Sequence, residues 1–228
     1  MRESAVVRQD VREDVREPVA TDPPRAVLIH GAATTPRIYE RVPHYLPDWV
    51  VRIPERRCSG SLDEEVAALA PLCADAFVAG VSGGATLTLA LLMAGTPLRG
   101  AVLHEPAAGS LAAGLLDAVA TAWATGGVQA FGTTLYGPAW TIGDAPEDEA
   151  AVARDLAMFR GFEPAPLPAG HPPAVLTVGE LSPPIRHRTA AALSAFLGLP
   201  VKIIPAVGHA LHLEAPAALA GCLRELIG

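Results

Sequence analysis

Ala76-Phe77-Val78-Ala79-Gly80-Val81-Ser82-Gly83-Gly84-Ala85 leads a solid apolar run into a G-x-S-x-G pentapeptide, and a second apolar stretch continues to Ala94. The first run reads as a buried strand over 76–80, and the segment 85–94 as a helix. A serine at such a strand-to-helix turn is held in a strained backbone conformation, with its hydroxyl projecting beyond the sheet. Gly80 and Gly84 let the neighbouring elements approach closely, since neither carries a Cβ. The N–H of Gly83 falls at the helix N-terminus, where free donors and the helix dipole favour a developing negative charge. Ser82 is therefore the candidate nucleophile, and Gly83 a candidate oxyanion donor. The pentapeptide alone fits an ordinary glycine-rich turn with a capping serine equally well, so its weight comes from the strand before it and the helix after it.

Outward from this turn, short apolar runs alternate with helical segments, the pattern of βαβ units around a buried parallel sheet. Strands are predicted at 25–30, 49–54, 76–80, 98–105, 174–179 and 201–207, and helices at 38–46, 62–73, 85–94, 188–197 and 216–227. Right-handed crossovers place such helices on both faces of the sheet, giving an α/β fold of three layers. The alternation breaks between Glu105 and Ala174. Residues 107–172 read as an insertion with helical segments at 110–125, 128–136 and 146–160. Six of the chain's eleven aromatic residues lie in it, namely Trp123, Phe131, Tyr136, Trp140, Phe159 and Phe162. A helical cap over the carboxyl edge of the sheet accounts for that concentration, whether the rings line a pocket or only pack the cap onto the core. Residues 1–24 are a charged N-terminal arm with valines at every fourth position, and residues 25–228 form one domain.

Composition narrows the partners. The net charge of −7 is spread without a Lys/Arg cluster, which argues against nucleic acid. No apolar run is long enough to span a bilayer, and the first ten residues are charged where a secretory signal would be apolar; the expected location is the cytoplasm. Cys58, Cys73 and Cys222 are odd in number and lack CxxC spacing, so neither a disulfide framework nor a zinc knuckle is expected. Oligomeric state is not legible.

Two further segments follow strands. In His30-Gly31-Ala32-Ala33 the glycine permits a sharp turn, and the N–H of Ala32 is the second candidate oxyanion donor. Gly208-His209-Ala210-Leu211-His212 follows the last strand, completing the chain order serine, acid, histidine. Together with Pro54-Glu55-Arg56-Arg57 and Gly60-Ser61 after the second strand, these residues resemble the α/β-hydrolase superfamily, in its serine-nucleophile branch with a small helical cap, over residues 25–228. The resemblance implies that His209 takes the Ser82 proton during attack and returns it to the leaving group. It implies no cofactor and no metal. His209 and His212 have HxxH spacing, but no carboxylate is arranged around them as in HExxH.

The acid departs from the superfamily's commonest pattern, which has an aspartate three residues after the glycine ending the penultimate strand. Here Gly179-Glu180-Leu181-Ser182 places a serine there, which cannot carry the charge that stabilises an imidazolium. Glu105 and Glu180 remain. Glu105 is preferred, because Pro106 keeps the glutamate out of a helix at the sheet edge and because some superfamily members carry their acid at that strand end. The alternative is Glu180, which follows its glycine too closely to point as the usual aspartate does.

The reading that results is a hydrolase of an ester or thioester, working through an acyl-enzyme on Ser82. The absence of an arginine cluster favours a small, neutral, fairly hydrophobic substrate. An activity limb near neutral pH follows if His209 must be neutral to act. The same triad also serves carbon–carbon hydrolysis and perhydrolysis. The competing reading is a non-hydrolytic protein on this scaffold, a small-molecule receptor or a biosynthetic lyase, motivated by the displaced acid.

Overall fold

A computed structural model describes residues 22–227. The expected N-terminal arm lies almost wholly outside the described residues. Six strands form one sheet in the order β2-β1-β3-β4-β5-β6: β1 (Arg25–Ile29), β2 (Val50–Arg52), β3 (Phe77–Val81), β4 (Gly100–His104), β5 (Ala174–Gly179) and β6 (Val201–Ile204). Every pairing is parallel. The central strands β1, β3 and β4 are buried almost throughout, which is why they read as solid apolar runs and not as alternating ones.

The helices are α1 (Leu62–Cys73), α2 (Gly83–Met93), α3 (Asp117–Tyr136), α4 (Glu149–Arg160), α5 (Pro184–Leu197), α6 (Leu211–Glu214) and α7 (Pro216–Glu225). A Cβ at Gly80 would run into the backbone of Gly84 in α2, whereas one at Gly100 would meet Phe77 and Leu226, just past α7. Phe77 and Gly100 are register partners, and successive residues of a strand face opposite ways. Thus α2 and α7 cover opposite faces of the same strands, and the core is the two apolar layers between them.

Some expectations fail locally. The helix expected over 38–46 is instead two short 3-10 turns, Pro36–Tyr39 and Val42–Tyr45, since Pro43 removes a donor where an α-helix would need one. Helix α5 begins four residues earlier than expected, because Pro184 suits a first helical turn. In the insertion, the first two predicted helices form one element, α3, broken by the non-helical pair Gly126-Gly127. Pro146 stays outside α4, which Asp148 caps through the Ala150 N–H.

Candidate active site

Ser82 sits between β3 and α2 with φ 57° and ψ −120°, a left-handed conformation that costs energy for any residue with a Cβ. Its surroundings impose that turn. The Ser82 N–H continues the β3–β4 ladder to the His104 carbonyl at 2.8 Å, and its own carbonyl accepts from Thr86 N at 3.0 Å in the first turn of α2. The turn closes because Gly84 has no Cβ, which would otherwise lie 1.8 Å from the Ile29 carbonyl oxygen. Tyr39 ties the adjacent strands, accepting from Val81 N at 3.1 Å and donating to the Ile29 carbonyl at 3.0 Å.

The two expected oxyanion donors lie side by side. A Cβ on Gly31 would come within 3.2 Å of Gly83 N, and one on Gly83 within 3.2 Å of Ala32 N. Ala32, Gly83 and Ser82 border the same pocket. Neither amide donates to a loop carbonyl or a side chain among the described residues. Arg56 holds the Gly31 loop from behind, donating from Nη1 to the carbonyls of His30 and Gly31, each at 3.3 Å.

His209 is buried, and its Nδ1 lies 2.6 Å from Glu105 Oε2. Glu180, the alternative acid, is exposed and accepts instead from Ala206 N at 2.8 Å, bracing the loop that leads to His209. Glu105 is itself anchored at its other oxygen, where Oε1 accepts from Gly179 N at 2.9 Å and Ser182 Oγ at 2.5 Å. Its backbone has φ 50°, so the acid as well as the serine occupies an unfavourable left-handed conformation. Burial pushes the Glu105 carboxyl upward, but His209, His104 and Arg186 outweigh it and hold it below the usual carboxylate range. The His209 imidazole is lowered to about 4, first by burial and then by the positive charge of Arg186, against the pull of Glu105. That moves the expected activity limb from neutrality toward acid.

Nε2 of His209 is buried without a partner among the described residues, and no hydrogen bond joins it to Ser82 Oγ. The cap residue Tyr136 occupies this vicinity. Its ring stacks on His209 at 5.7 Å and 22°, while its hydroxyl donates to the Ala32 carbonyl at 2.9 Å. Catalytic hydrogen bonds are often long in ligand-free sites and tighten around substrate.

His212 does not join the site chemically; it packs between Tyr39 and Tyr136 with Nδ1 unpartnered among the described residues. The potential ligands His104, Glu105 and His209 do lie within 4.8 Å of one another. They are otherwise committed, His104 Nδ1 to Thr177 Oγ1 at 2.9 Å and Glu105 as above, so no open coordination position is built here.

Sequence reasoning missed four contributors. Tyr136 stood out only as one cap aromatic among six. In the sequence Ser182 marks only a missing acid, because the glutamate it donates to comes from another strand. Arg56 is legible only as part of its motif, and a lone Arg186 carries no pattern at all. The pocket beside Ser82 has a cavity volume of about 20 Å³ and is walled by Ala107, Leu116, Val119, Phe131, Leu135 and Phe159, with Arg186 at one side. Two of the cap's six aromatics, Phe131 and Phe159, thus line it, and Tyr136 and Trp140 instead bond the backbone of the 32–33 loop.

Residues 26–221 match the sequence model of the alpha/beta hydrolase family. No curated protein matches by sequence. Among solved structures, a lipase-esterase related protein from Clostridium acetobutylicum superposes with a TM-score of 0.72 at 12% identity, over 90% of this chain and 95% of that one. The RedJ thioesterase of the prodiginine biosynthetic pathway in Streptomyces coelicolor gives 0.66 at 16% identity, over 93% and 96%. Naproxen esterase from Bacillus subtilis gives 0.60 at 16%, over 92% and 85%. Identities this low establish the shared fold and leave the reaction to the site itself. No helix among the described residues is long and apolar enough to cross a membrane.

Proposed function

The chain belongs to the alpha/beta hydrolase family, and from that premise we propose that it is a cofactor-independent serine hydrolase cleaving an ester or thioester of a small, largely apolar acyl group. The observation that carries this reading is the 2.6 Å contact between His209 Nδ1 and Glu105 Oε2, in a chain whose elbow serine faces two free backbone amides. Glu105 fixes the imidazole tautomer, leaving Nε2 to accept the Ser82 proton as Oγ attacks the carbonyl carbon. The Ala32 and Gly83 amides stabilise the oxygen that becomes negative. His209 returns the proton to the departing alcohol or thiol, and water repeats the sequence to release the acid.

A fluorophosphonate probe should label the wild type at Ser82, and Ser82→Ala should lose both labelling and hydrolysis of short-chain nitrophenyl esters. A folded wild type that neither labels nor hydrolyses would rule the proposal out. The non-hydrolytic reading draws support from one feature, the Tyr136 ring stacked on His209 with its hydroxyl bonded to the Ala32 carbonyl. It gains if ester turnover is unaffected by Ser82→Ala.

A further inference from the structure

Arg186, in the first turn of α5, puts a guanidinium into the wall of the pocket that holds Ser82. Its side chain is only 9% exposed, and most of the remaining wall is apolar. A guanidinium has five N–H donors and keeps its charge at any pH a protein survives. Among the described residues it makes one hydrogen bond, from Nη1 to the Glu105 carbonyl at 3.3 Å, while Nε stands 3.5 Å from Glu105 Oε2. Glu105 therefore engages only one side of the fork, and the remaining guanidinium donors have no hydrogen-bond partner among the described residues and are open to an acceptor that enters the pocket.

We propose that Arg186 binds a carboxylate at the far end of a short acyl chain, so that the enzyme prefers half-esters of dicarboxylic acids to neutral esters of equal length. This rests on the serine-hydrolase reading but replaces its neutral acyl group with one that is apolar along the stem and carboxylated at the end. The planar fork of arginine matches a carboxylate, and the alanine, leucine and valine wall suits the methylenes between. The chemistry stays balanced: Ser82 Oγ bonds to the ester carbon, the alcohol leaves with the proton that His209 carried, and water releases the dicarboxylate. The anion also has a catalytic consequence. After burial, Arg186 is the group that most lowers the His209 imidazole, so a carboxylate seated on it strengthens the base when the matching substrate is in place.

The test compares kcat/KM for monoethyl succinate, glutarate and adipate with ethyl butyrate, pentanoate and hexanoate. Wild type should favour the carboxylated ester at one length at least by about tenfold or more, the scale of charge-assisted hydrogen bonding. Arg186→Met should erase that ratio chiefly through KM, and Arg186→Lys should keep part of it. If Arg186 acts only by holding Glu105, both series fall together and the ratio stays, which overturns the proposal. Equal or better wild-type turnover of the neutral esters overturns it too, without need of a folded variant. Calorimetric titration of wild type with glutarate and adipate, against the uncharged pentanamide and hexanamide, gives a readout independent of turnover: the dicarboxylates should bind at least about tenfold more tightly, and equal binding counts against the proposal. Should no ester be cleaved and no probe bind Ser82, the hydrolase reading fails while this titration still decides the role of Arg186.

Discussion

At Glu105 a single carboxylate meets the Nδ1 of His209, the hydroxyl of Ser182, the amide of Gly179 and the flank of Arg186. Such convergence lets a side chain on a left-handed backbone stay in one orientation, since its neighbours compensate the strain. Replacing Glu105 by Gln removes the charge facing the imidazolium and should lower kcat by roughly 10⁴, the scale seen when a triad acid is amidated. Ser182→Ala removes one of the two donors to Oε1, leaving Gly179 N, and should cost less, about tenfold, mostly in kcat. Glu180→Gln should leave kcat within about twofold, since its side chain braces a loop from the surface. Steady-state kinetics on one nitrophenyl ester rank all three, and a greater loss at Glu180 than at Glu105 would reverse the acid assignment. The pH profile is set at this scale as well. His209 must be neutral to act as base, and its pKa is lowered to about 4, so kcat/KM should rise with pH through that region and be flat by neutrality. Initial rates read within seconds of a pH jump measure it before the fold responds to acid. A limb near 6.5 would mean that Glu105 outweighs burial and Arg186 at the imidazole.

The elements carrying these side chains are joined by a buried ion cluster. Arg56, from the loop after β2, makes a bidentate pair with Asp155 of α4 at 2.8 and 3.0 Å, reaches Glu65 of α1 at 3.2 Å and lies over the Phe159 ring. Helix α4 of the insertion, helix α1 and the His30–Gly31 loop thereby share one cation. Burial raises the Asp155 carboxyl while Arg56 pulls it back down, and the net direction is up. Removing one partner of such a group strands a buried charge, so Asp155→Ala should destabilise the fold by about 3–5 kcal/mol in denaturant unfolding. Pairing it with Arg56→Met should recover part of that loss, and additive losses in the double-mutant cycle would show that the ions are not coupled. This cluster was not legible in the sequence, because Arg56, Glu65 and Asp155 are brought together only by tertiary packing. Elements fared better where a buried core repeats one residue class: α1 and β5 have the predicted bounds, and the other strands lie within theirs to a residue or so. They fared worst around 38–46, where Pro43 cuts an otherwise helical composition, and around 110–125, whose first residues form a 3-10 turn and then a second turn at Gly114 with φ 84° before α3 starts at Asp117.

Across the whole molecule, the order of strands and the loops at their carboxyl ends could be read from the sequence because apolar runs and glycines encode them locally. Partners such as Ser182 and Arg186 could not, since their meaning depends on an acid that approaches from another strand. One consequence of the assembled fold is equally non-local. His30, His104, His209 and His212 are all buried, and burial is in each case the first cause of a lowered pKa, to about 3 for His30 and about 4 for His209. Unfolded, each would titrate near 6.5. Between that value and the native pKa values the unfolded chain therefore binds protons that the native state refuses, so stability is full above about pH 6.5 and is lost as pH falls. Each such proton is worth about 1.4 kcal/mol per pH unit, and four together come to about 5.5 kcal/mol per unit where all four native imidazoles are neutral. The raised Asp155 carboxyl works in the opposite sense, but only near the carboxylate range, below where the histidines act. Against a typical reserve of about 5–15 kcal/mol, acid unfolding should set in near pH 5. Thermal melts at pH 7.5, 6.5, 5.5 and 5.0 should show Tm nearly constant over the first interval and falling steeply over the rest, and a flat Tm down to pH 5 would contradict the burial-driven account. His212→Phe provides the internal control. The ring lies between Tyr39 and Tyr136 with an unpartnered Nδ1, so phenylalanine keeps the packing, removes one titrating site and should move the acid midpoint to lower pH.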